Sequence, residues 1–398
     1  MPAKAPIAII GAGPSGLTLA RLLEINSIDY IIYERDESPE PKFINQGGTL
    51  DIHASSGQLA LKEARLFDEF ESIARCDASR VFMQNPSGTV KAVFGEERDA
   101  PEIDRLQLRK LLLDSIPTNK IHWGHRVKSI EKGEEAAKHR IHFCNGTSAS
   151  GFRLIVGADG AWSKLTPVKP DYSGKVFIEG SISHDNPGYT AALEHAGPGN
   201  MLAMGQHKIM AVQQLADRSY RFYMGMDAPE ELYLKPLSQQ DTEDIRQKLL
   251  SSSEFFANWA PNLKEYLTNA EGPFHAWPLY RLPASSVSWE RVPGVTLLGD
   301  AAHLATPLVG EGVNMAMLDA LMLAKAIVKN CTETSGADTE DDQLEGALTE
   351  YEKEMFERGQ DYIRRCMARE VEFFSENAAE DFINMINGAM GNGQEEAK

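Results

Sequence analysis

Ile7-Ala8-Ile9-Ile10 is a wholly apolar run, the pattern of a strand buried on both faces of a parallel sheet. It stops at Gly11-Ala12-Gly13-Pro14-Ser15-Gly16, after which Leu17, Ala20, Leu22 and Leu23 recur at helical spacing. Tyr30-Ile31-Ile32-Tyr33 is a second short strand, closed by Glu34. Residues 56–70 predict a helix, and 80–94 two strands around Asn85-Pro86-Ser87-Gly88. A helix opens at 103–109, with Leu106, Leu111, Leu112 and Leu113 apolar and Arg105 and Arg109 sharing one face. Residues 121–130, 140–143 and 153–156 read as strands, the last ending in Gly157-Ala158-Asp159-Gly160. From 176 to about 277 the texture changes. Short alternating strands (176–178, 201–204, 209–215, 220–226) precede helical stretches at 242–250 and 255–258. That series predicts an antiparallel sheet with one face open to a ligand. The α/β texture returns at Val295-Thr296-Leu297-Leu298-Gly299-Asp300-Ala301-Ala302-His303. Pro307 and Gly310-Glu311-Gly312 break the chain before a helix near Val313-Asn314, and 344–374 is a long amphipathic helix.

The pattern predicts an α/β protein with a Rossmann-type domain, an antiparallel-sheet substrate domain and a long C-terminal helix. The first domain takes 1–76, 101–172 and 279–330; the second takes a hairpin at 77–100 and the sheet at 173–278; the helix and tail take 331–398.

A strand, glycine-rich turn, helix, strand and terminal acid within about 30 residues is the context of dinucleotide binding. Gly11 permits the tight turn, Gly13 leaves the backbone open to a pyrophosphate, and Gly16 lets helix and strand approach. Pro14 and Ser15 open a helix whose free N–H groups and dipole suit phosphate. Glu34 can accept from a ribose. The motif alone leaves FAD and NAD(P) open. Asp51, after the paired glycines Gly47-Gly48, could meet a hydroxyl-rich chain, and Asp300 could accept from a ribityl hydroxyl. The helix start after Gly312 could face a flavin pyrimidine edge. His303 reads as a packing histidine beside a turn, and Phe373, Phe374, Phe382 and Met385 as core contacts able to close a pocket.

Composition narrows the partners. With 398 residues, 42% hydrophobic and 25% charged, the chain can bury a large core. A net charge of −18 argues against nucleic acid. Four distant cysteines lack metal spacing, which implies no metal site and a reducing compartment. No apolar run approaches the ~18 residues of a membrane span, and the chain enters its first strand without a signal sequence. The expectation is a soluble cytoplasmic protein; the sequence leaves its oligomeric state open, a monomer included.

Gly11 to Gly16 with Glu34-Arg35, Gly157-Ala158-Asp159-Gly160, and Gly299 to His303 with Pro307, Gly310 and Gly312 resemble the three fingerprints of the FAD-dependent aromatic hydroxylases, the class A flavoprotein monooxygenases. Within that family, Gly47 to His53 and Glu102-Ile103-Asp104-Arg105 look most similar to the tetracycline-inactivating monooxygenases. The resemblance implies FAD, NADPH as a transient reductant, oxygen, and a small aromatic or polycyclic substrate hydroxylated through a flavin C4a-hydroperoxide. It implies that Glu34 and Arg35 hold the adenosine end, and that Gly48, Asp51 and Arg105 approach the flavin and ribityl region. Asp300 would bind the ribityl chain, Asp159 would serve FAD and NADPH, and Asn314 would lie at the flavin-facing helix start. Where the tetracycline enzymes grip substrate with a glutamine and an arginine, this chain has Glu179 and Met201, so tetracycline is expected to be at most a weak substrate. Arg221 and Phe373 complete the expected substrate contacts, and Glu179, Arg221 and His303 are the candidates for a base. The residue meeting NADPH corresponds to Lys42. Trp277-Pro278 does not complete the tryptophan-rich signature of flavin halogenases. A flavin oxidase or dehydrogenase, or a non-catalytic dinucleotide-binding protein, remain the alternatives.

Overall fold

The computed structural model describes residues 5–40, 47–95, 98–166, 168–230, 242–332 and 340–395. The chain divides into two compact units. The first holds Met1–Ala74, Arg105–Asp171 and Tyr280–Cys366. The second holds Arg75–Asp104, Tyr172–Leu279 and Met367–Lys398.

The first unit is built on a five-stranded sheet in the order Val295–Leu297, Leu154–Gly157, Ile7–Ile10, Tyr30–Tyr33, Ile121–His122. Every neighbouring pair is parallel. Burial on both faces explains why these strands are continuously apolar rather than alternating. Ala8 and Ile10 pack with Tyr33, Ile155, Ile141 and Phe143 toward a small antiparallel sheet of Val127–Glu131, Arg140–Phe143 and Ser148–Ser150. Ile7 and Ile9 point the other way and are fully buried. The chain leaves the central strand on one side toward Tyr30–Tyr33 and later returns on the other at Leu154–Gly157. Such a reversal opens a crevice at the carboxyl ends of the strands.

The second unit centres on a seven-stranded sheet ordered Glu271–Arg281, Asp171–Ile182, Tyr220–Asp227, Lys208–Gln214, Asn200–Gly205, Val81–Gln84, Val90–Phe94. Helices Tyr189–Ala196, Thr242–Ser251 and Pro261–Asn269 supply the layer over one face. Val176, Ile178, Met210, Val212, Phe222, Leu249, Trp259, Leu263 and Tyr266 form the core between sheet and helices.

Several expectations need correction. The helix expected over 56–70 is two helices, Gly57–Glu63 and Phe67–Ile73. Arg65 adopts a left-handed backbone (φ 56°), and the Leu66 N–H returns to the Leu61 carbonyl, which ends the first helix while burying both leucines. The helix expected at 255–258 is a turn. The helix is Pro261–Asn269, whose first position suits proline, whereas Phe256 and Trp259 are apolar because they fill the core. Helix Tyr189–Ala196 and strand Glu271–Arg281 escaped the sequence pattern, and the strand read at 176–178 runs Asp171–Ile182. Lys42 lies outside the described residues. Among those described, no helix is long and apolar enough to cross a membrane.

Met201 also departs from expectation. Cross-strand register puts Met201, Val212, Phe222 and Gly180 in one row, and Leu202, Ala211, Tyr223 and Glu179 in the next. Successive strand residues face opposite sides. Met201 is therefore fully buried in the helix-covered core, and Leu202 occupies the face of Glu179. Met201→Arg should lower the stability of the protein by about 3 kcal/mol or more by burying an unpaired charge. Leu202→Arg should cost much less. Urea unfolding midpoints check this, and equal costs would show that the register does not govern the position.

Candidate active site

The glycine-rich turn follows the central strand of the first unit. Gly11 has φ +110°, and a Cβ there would meet the Ala158 carbonyl oxygen at 2.3 Å. A Cβ at Gly16 would meet the Gly11 carbonyl oxygen at 2.1 Å. Both glycines are fixed by backbone packed against backbone. Gly13 differs, since a Cβ there would meet nothing within 4 Å. It is the N-cap of helix Pro14–Ile25, whose first turn carries no acid and no side-chain cap. The N–H groups at that end thus face open space on the positive end of the dipole, which fits a pyrophosphate.

Two side chains lock the turn. Glu34 is buried, and its carboxylate accepts from the Ala12 N–H and, at 3.0 Å, from the Asp36 N–H. Each oxygen keeps a lone pair for a hydroxyl. Arg109 donates to the Ala12 carbonyl at 3.3 Å, the Pro39 carbonyl at 3.1 Å and Asp36 at 3.3 Å. Its pairing with Arg105 was visible as helical spacing, but its bracing role was not. Arg35, beside Glu34, is exposed.

Across the crevice, Asp159 Oδ2 accepts from the Lys164 N–H at 3.0 Å, while Oδ1 is buried without a hydrogen bond. Burial pushes the Asp159 carboxyl up, against hydrogen bonds from Ser163 and Lys164 and the charge of Arg35. An orphaned acceptor at a sheet edge fits a hydroxyl-bearing ligand.

Gly47 and Gly48 lie along Arg105. A Cβ on Gly47 would sit 3.0 Å from Arg105 Cδ, and the Arg105 N–H donates to the Gly48 carbonyl at 3.3 Å. Asp51 Oδ2 meets His53 Nε2 at 3.0 Å, and its carboxylate lies close to the left-handed Gly310, at the end of the Pro307–Val309 turn. Asn314 is buried. Its side chain accepts from the His53 N–H and donates to the Asp51 carbonyl, both at 2.8 Å. It therefore ties the 51–53 segment to the helix Gly312–Thr332 rather than presenting its amide to a ligand. Gly312 sits against the Tyr362 hydroxyl.

Asp300 opens the short helix Asp300–His303 and is exposed. Surrounding protein pushes its carboxyl up, against the pull of His303 and Arg105. Its access to solvent weakens that shift and leaves it an outward-facing acceptor. The turn before it is held by Asp319. Asp319 Oδ2 accepts from the Gly299 N–H at 3.1 Å and meets His303 Nε2 at 2.5 Å, and Oδ1 accepts from Arg358 at 3.1 Å. Asp319 is the lone charge between Gly312 and Ala324, a signal that the sequence reading passed over. His303 is buried at 1%, so it is a packing residue with a charge partner rather than a base open to substrate.

In the second unit, Glu179 and Arg221 share one face of the sheet. Arg221 Nε lies 3.2 Å from Glu179 Oε1, and Trp277 Nε1 donates to Glu179 Oε2 at 2.7 Å. Burial pushes the Glu179 carboxyl up, against Arg221, Trp277 and His275. Met201 is not part of this group, and of Glu179 and Met201 only Glu179 stands on this face of the sheet. Phe373 is half-buried edge-on to Phe382, with ring centroids 5.3 Å apart, and Phe382 continues to Phe94.

The His303–Asp319 pair gives stability a defined pH dependence. Burial alone would lower the His303 imidazole, but Asp319 outweighs it and holds it above 6.5. Burial alone would raise Asp319, but His303, Arg358 and the Gly299 N–H hold it below 3.8. A raised histidine contributes fully below 6.5 and loses its contribution as pH rises through its folded value. A depressed carboxylate contributes fully above 3.8 and loses its contribution as pH falls through its folded value. Asp319→Asn should thus cost most, about 3–5 kcal/mol, between pH 3.8 and 6.5, and less as pH rises through the folded value of His303. Urea unfolding of both proteins from that range upward checks it, and a pH-independent cost would contradict the charge pairing.

A family model described as an FAD binding domain matches residues 4–364. Monooxygenase asqM of Emericella nidulans is 30% identical over 433 residues, covering 96% of this chain and 98% of the relative. Among solved structures, Klebsiella pneumoniae HpxO complexed with FAD and uric acid shares the fold at a TM-score of 0.74 and 23% identity, over 93% of this chain and 89% of that one. Tetracycline destructase Tet(55) shares it at a TM-score of 0.70 and 17% identity, over 98% and 96%. The glycine turn, the open helix start and the outward-facing acceptors fit the cofactor that the family model names. The chain belongs to the FAD-dependent monooxygenases and is an FAD-carrying oxidoreductase.

Proposed function

We propose that the enzyme uses NAD(P)H and oxygen to hydroxylate a small aromatic or polycyclic molecule. The observation that carries this reading is similarity to a monooxygenase along 96% of the chain, which extends well beyond a cofactor-binding motif. The uric acid in the HpxO complex supports a planar substrate. Bound FAD would supply the chemistry that activates molecular oxygen with electrons from NAD(P)H, and the protein would bind and orient the substrate and exclude water.

On this reading the start of helix Pro14–Ile25 takes the pyrophosphate, with Gly11, Gly13, Pro14, Ser15 and Gly16 giving it room. Glu34 and Arg35 hold the adenosine end. Gly48, Asp51 and Arg105 lie along the flavin, Asp300 accepts from the ribityl chain, and Asp159 offers its unpaired oxygen to a hydroxyl. Pro307, Gly310, Gly312 and Asn314 shape the helix start that meets the flavin ring. Glu179, Arg221 and Phe373 belong to the substrate side. The sequence has no second glycine-rich βαβ unit, which supports transient rather than stable NAD(P)H binding.

Two outcomes are expected. Asp300→Ala should weaken FAD binding by about 1–3 kcal/mol, because ribityl hydroxyls lose their acceptor. Titration of flavin-free protein measures this, and an unchanged affinity removes Asp300 from the site. Mass spectrometry of reactions with NADPH, oxygen and a panel of phenols, polyketides, uric acid and tetracyclines should yield a product heavier by one oxygen. A substrate that loses two hydrogens without gaining oxygen would identify an oxidase instead.

A further inference from the structure

Exposure separates Trp277 from the two charged residues beside it. Glu179 is 3% exposed and Arg221 is 6%, whereas Trp277 is 41%. Trp277 stands on Glu271–Arg281, an edge strand of the seven-stranded sheet. Its indole N–H donates to Oε2 of a buried carboxylate. The 3.2 Å approach of Arg221 Nε to Glu179 Oε1 is not aligned as a hydrogen bond, and neither atom has another partner. Burying both charges costs more than such a contact returns, so the arrangement is a poor device for stability. It is a good device for orientation. An indole resting on a surface needs no buried acceptor. An indole that must present one face at one angle does, because the N–H bond fixes rotation about its terminal torsion.

We propose that Trp277 is the platform on which the substrate's ring stacks, with Glu179 as its positioning residue and Arg221 as the counter-charge that keeps Glu179 in place. The inference rests on the proposed function for the existence of an aromatic substrate and narrows it. Recognition through a π-face selects flat rings over saturated ones of the same size, and demands no charge on the ligand.

Equilibrium dialysis of the FAD-loaded protein without NAD(P)H tests this. The probes are uric acid, 2-naphthol and the saturated analogue 2-decalol. At least one aromatic should bind, and 2-decalol should bind more weakly than 2-naphthol. Trp277→Ala should weaken the aromatic by roughly two- to tenfold, and Trp277→Phe, which keeps a ring but loses the N–H that Glu179 holds, by less. Glu179→Gln keeps an acceptor for the indole and should bind the aromatic as the wild type does, while Glu179→Leu, which keeps the ring but frees it, should match Trp277→Phe. Trp277 is not part of the helix-covered core, and retained FAD loading reports that Trp277→Ala is folded, so that variant decides the matter even if Glu179→Leu does not fold. The proposal is overturned if folded, FAD-loaded Trp277→Ala binds the aromatics as the wild type does, if 2-decalol binds as well as 2-naphthol, or if neither aromatic binds. Because nothing turns over in the dialysis, the failure of this inference and the absence of an oxygenated product are separate results.

Discussion

Backbone packed on backbone at the end of the parallel sheet is the constraint on which the first unit depends. Gly11, Gly16 and Ala158 come from a strand end, a helix start and the neighbouring strand end, and no Cβ fits at either glycine. That contact brings the start of helix Pro14–Ile25 to the edge where the chain reverses its direction of travel across the sheet. Glu34 and Arg109 then fix the loop through Ala12 from both sides. With the geometry set by these contacts, Gly13 can remain without neighbours, and the helix N–H groups stay open to a ligand.

The same logic recurs at the third fingerprint. Gly299 takes φ +61°, and its N–H is held by Asp319 from the following long helix. Asp319 in turn joins His303 and Arg358, so a buried charge cluster orients the turn that presents Asp300. Removing Asp319 would leave His303 buried without its charge partner, and the turn would lose its tether.

The parts of this fold governed by short-range pattern could be read from the sequence. The apolar strands, the glycine turn and the long helices follow from periodicity and from glycine stereochemistry. What could not be read depends on distant partners. Whether Met201 or Leu202 faces Glu179 is decided by register across three strand pairings, and a shift of one residue reverses the answer. Asn314 looked like a ligand contact because it starts a helix, but its amide is consumed by the 51–53 backbone. Phe255 and Phe256 imitate a helical stretch because a core needs large apolar groups whatever the backbone does. Trp277 drew notice only as half of an incomplete signature. Its bond to a buried carboxylate almost a hundred positions away has no local signal.

The central claim is that the glycine turn and open helix start hold the pyrophosphate and adenosine of one FAD. Titration of flavin-free protein with FAD and with FMN, which lacks the adenosine half, tests it most directly. The expected result is one FAD per chain and a preference over FMN of at least about 100-fold, or about 2.7 kcal/mol. Equal affinity for FAD and FMN would contradict it, since the turn and helix start would then contribute nothing to holding the cofactor.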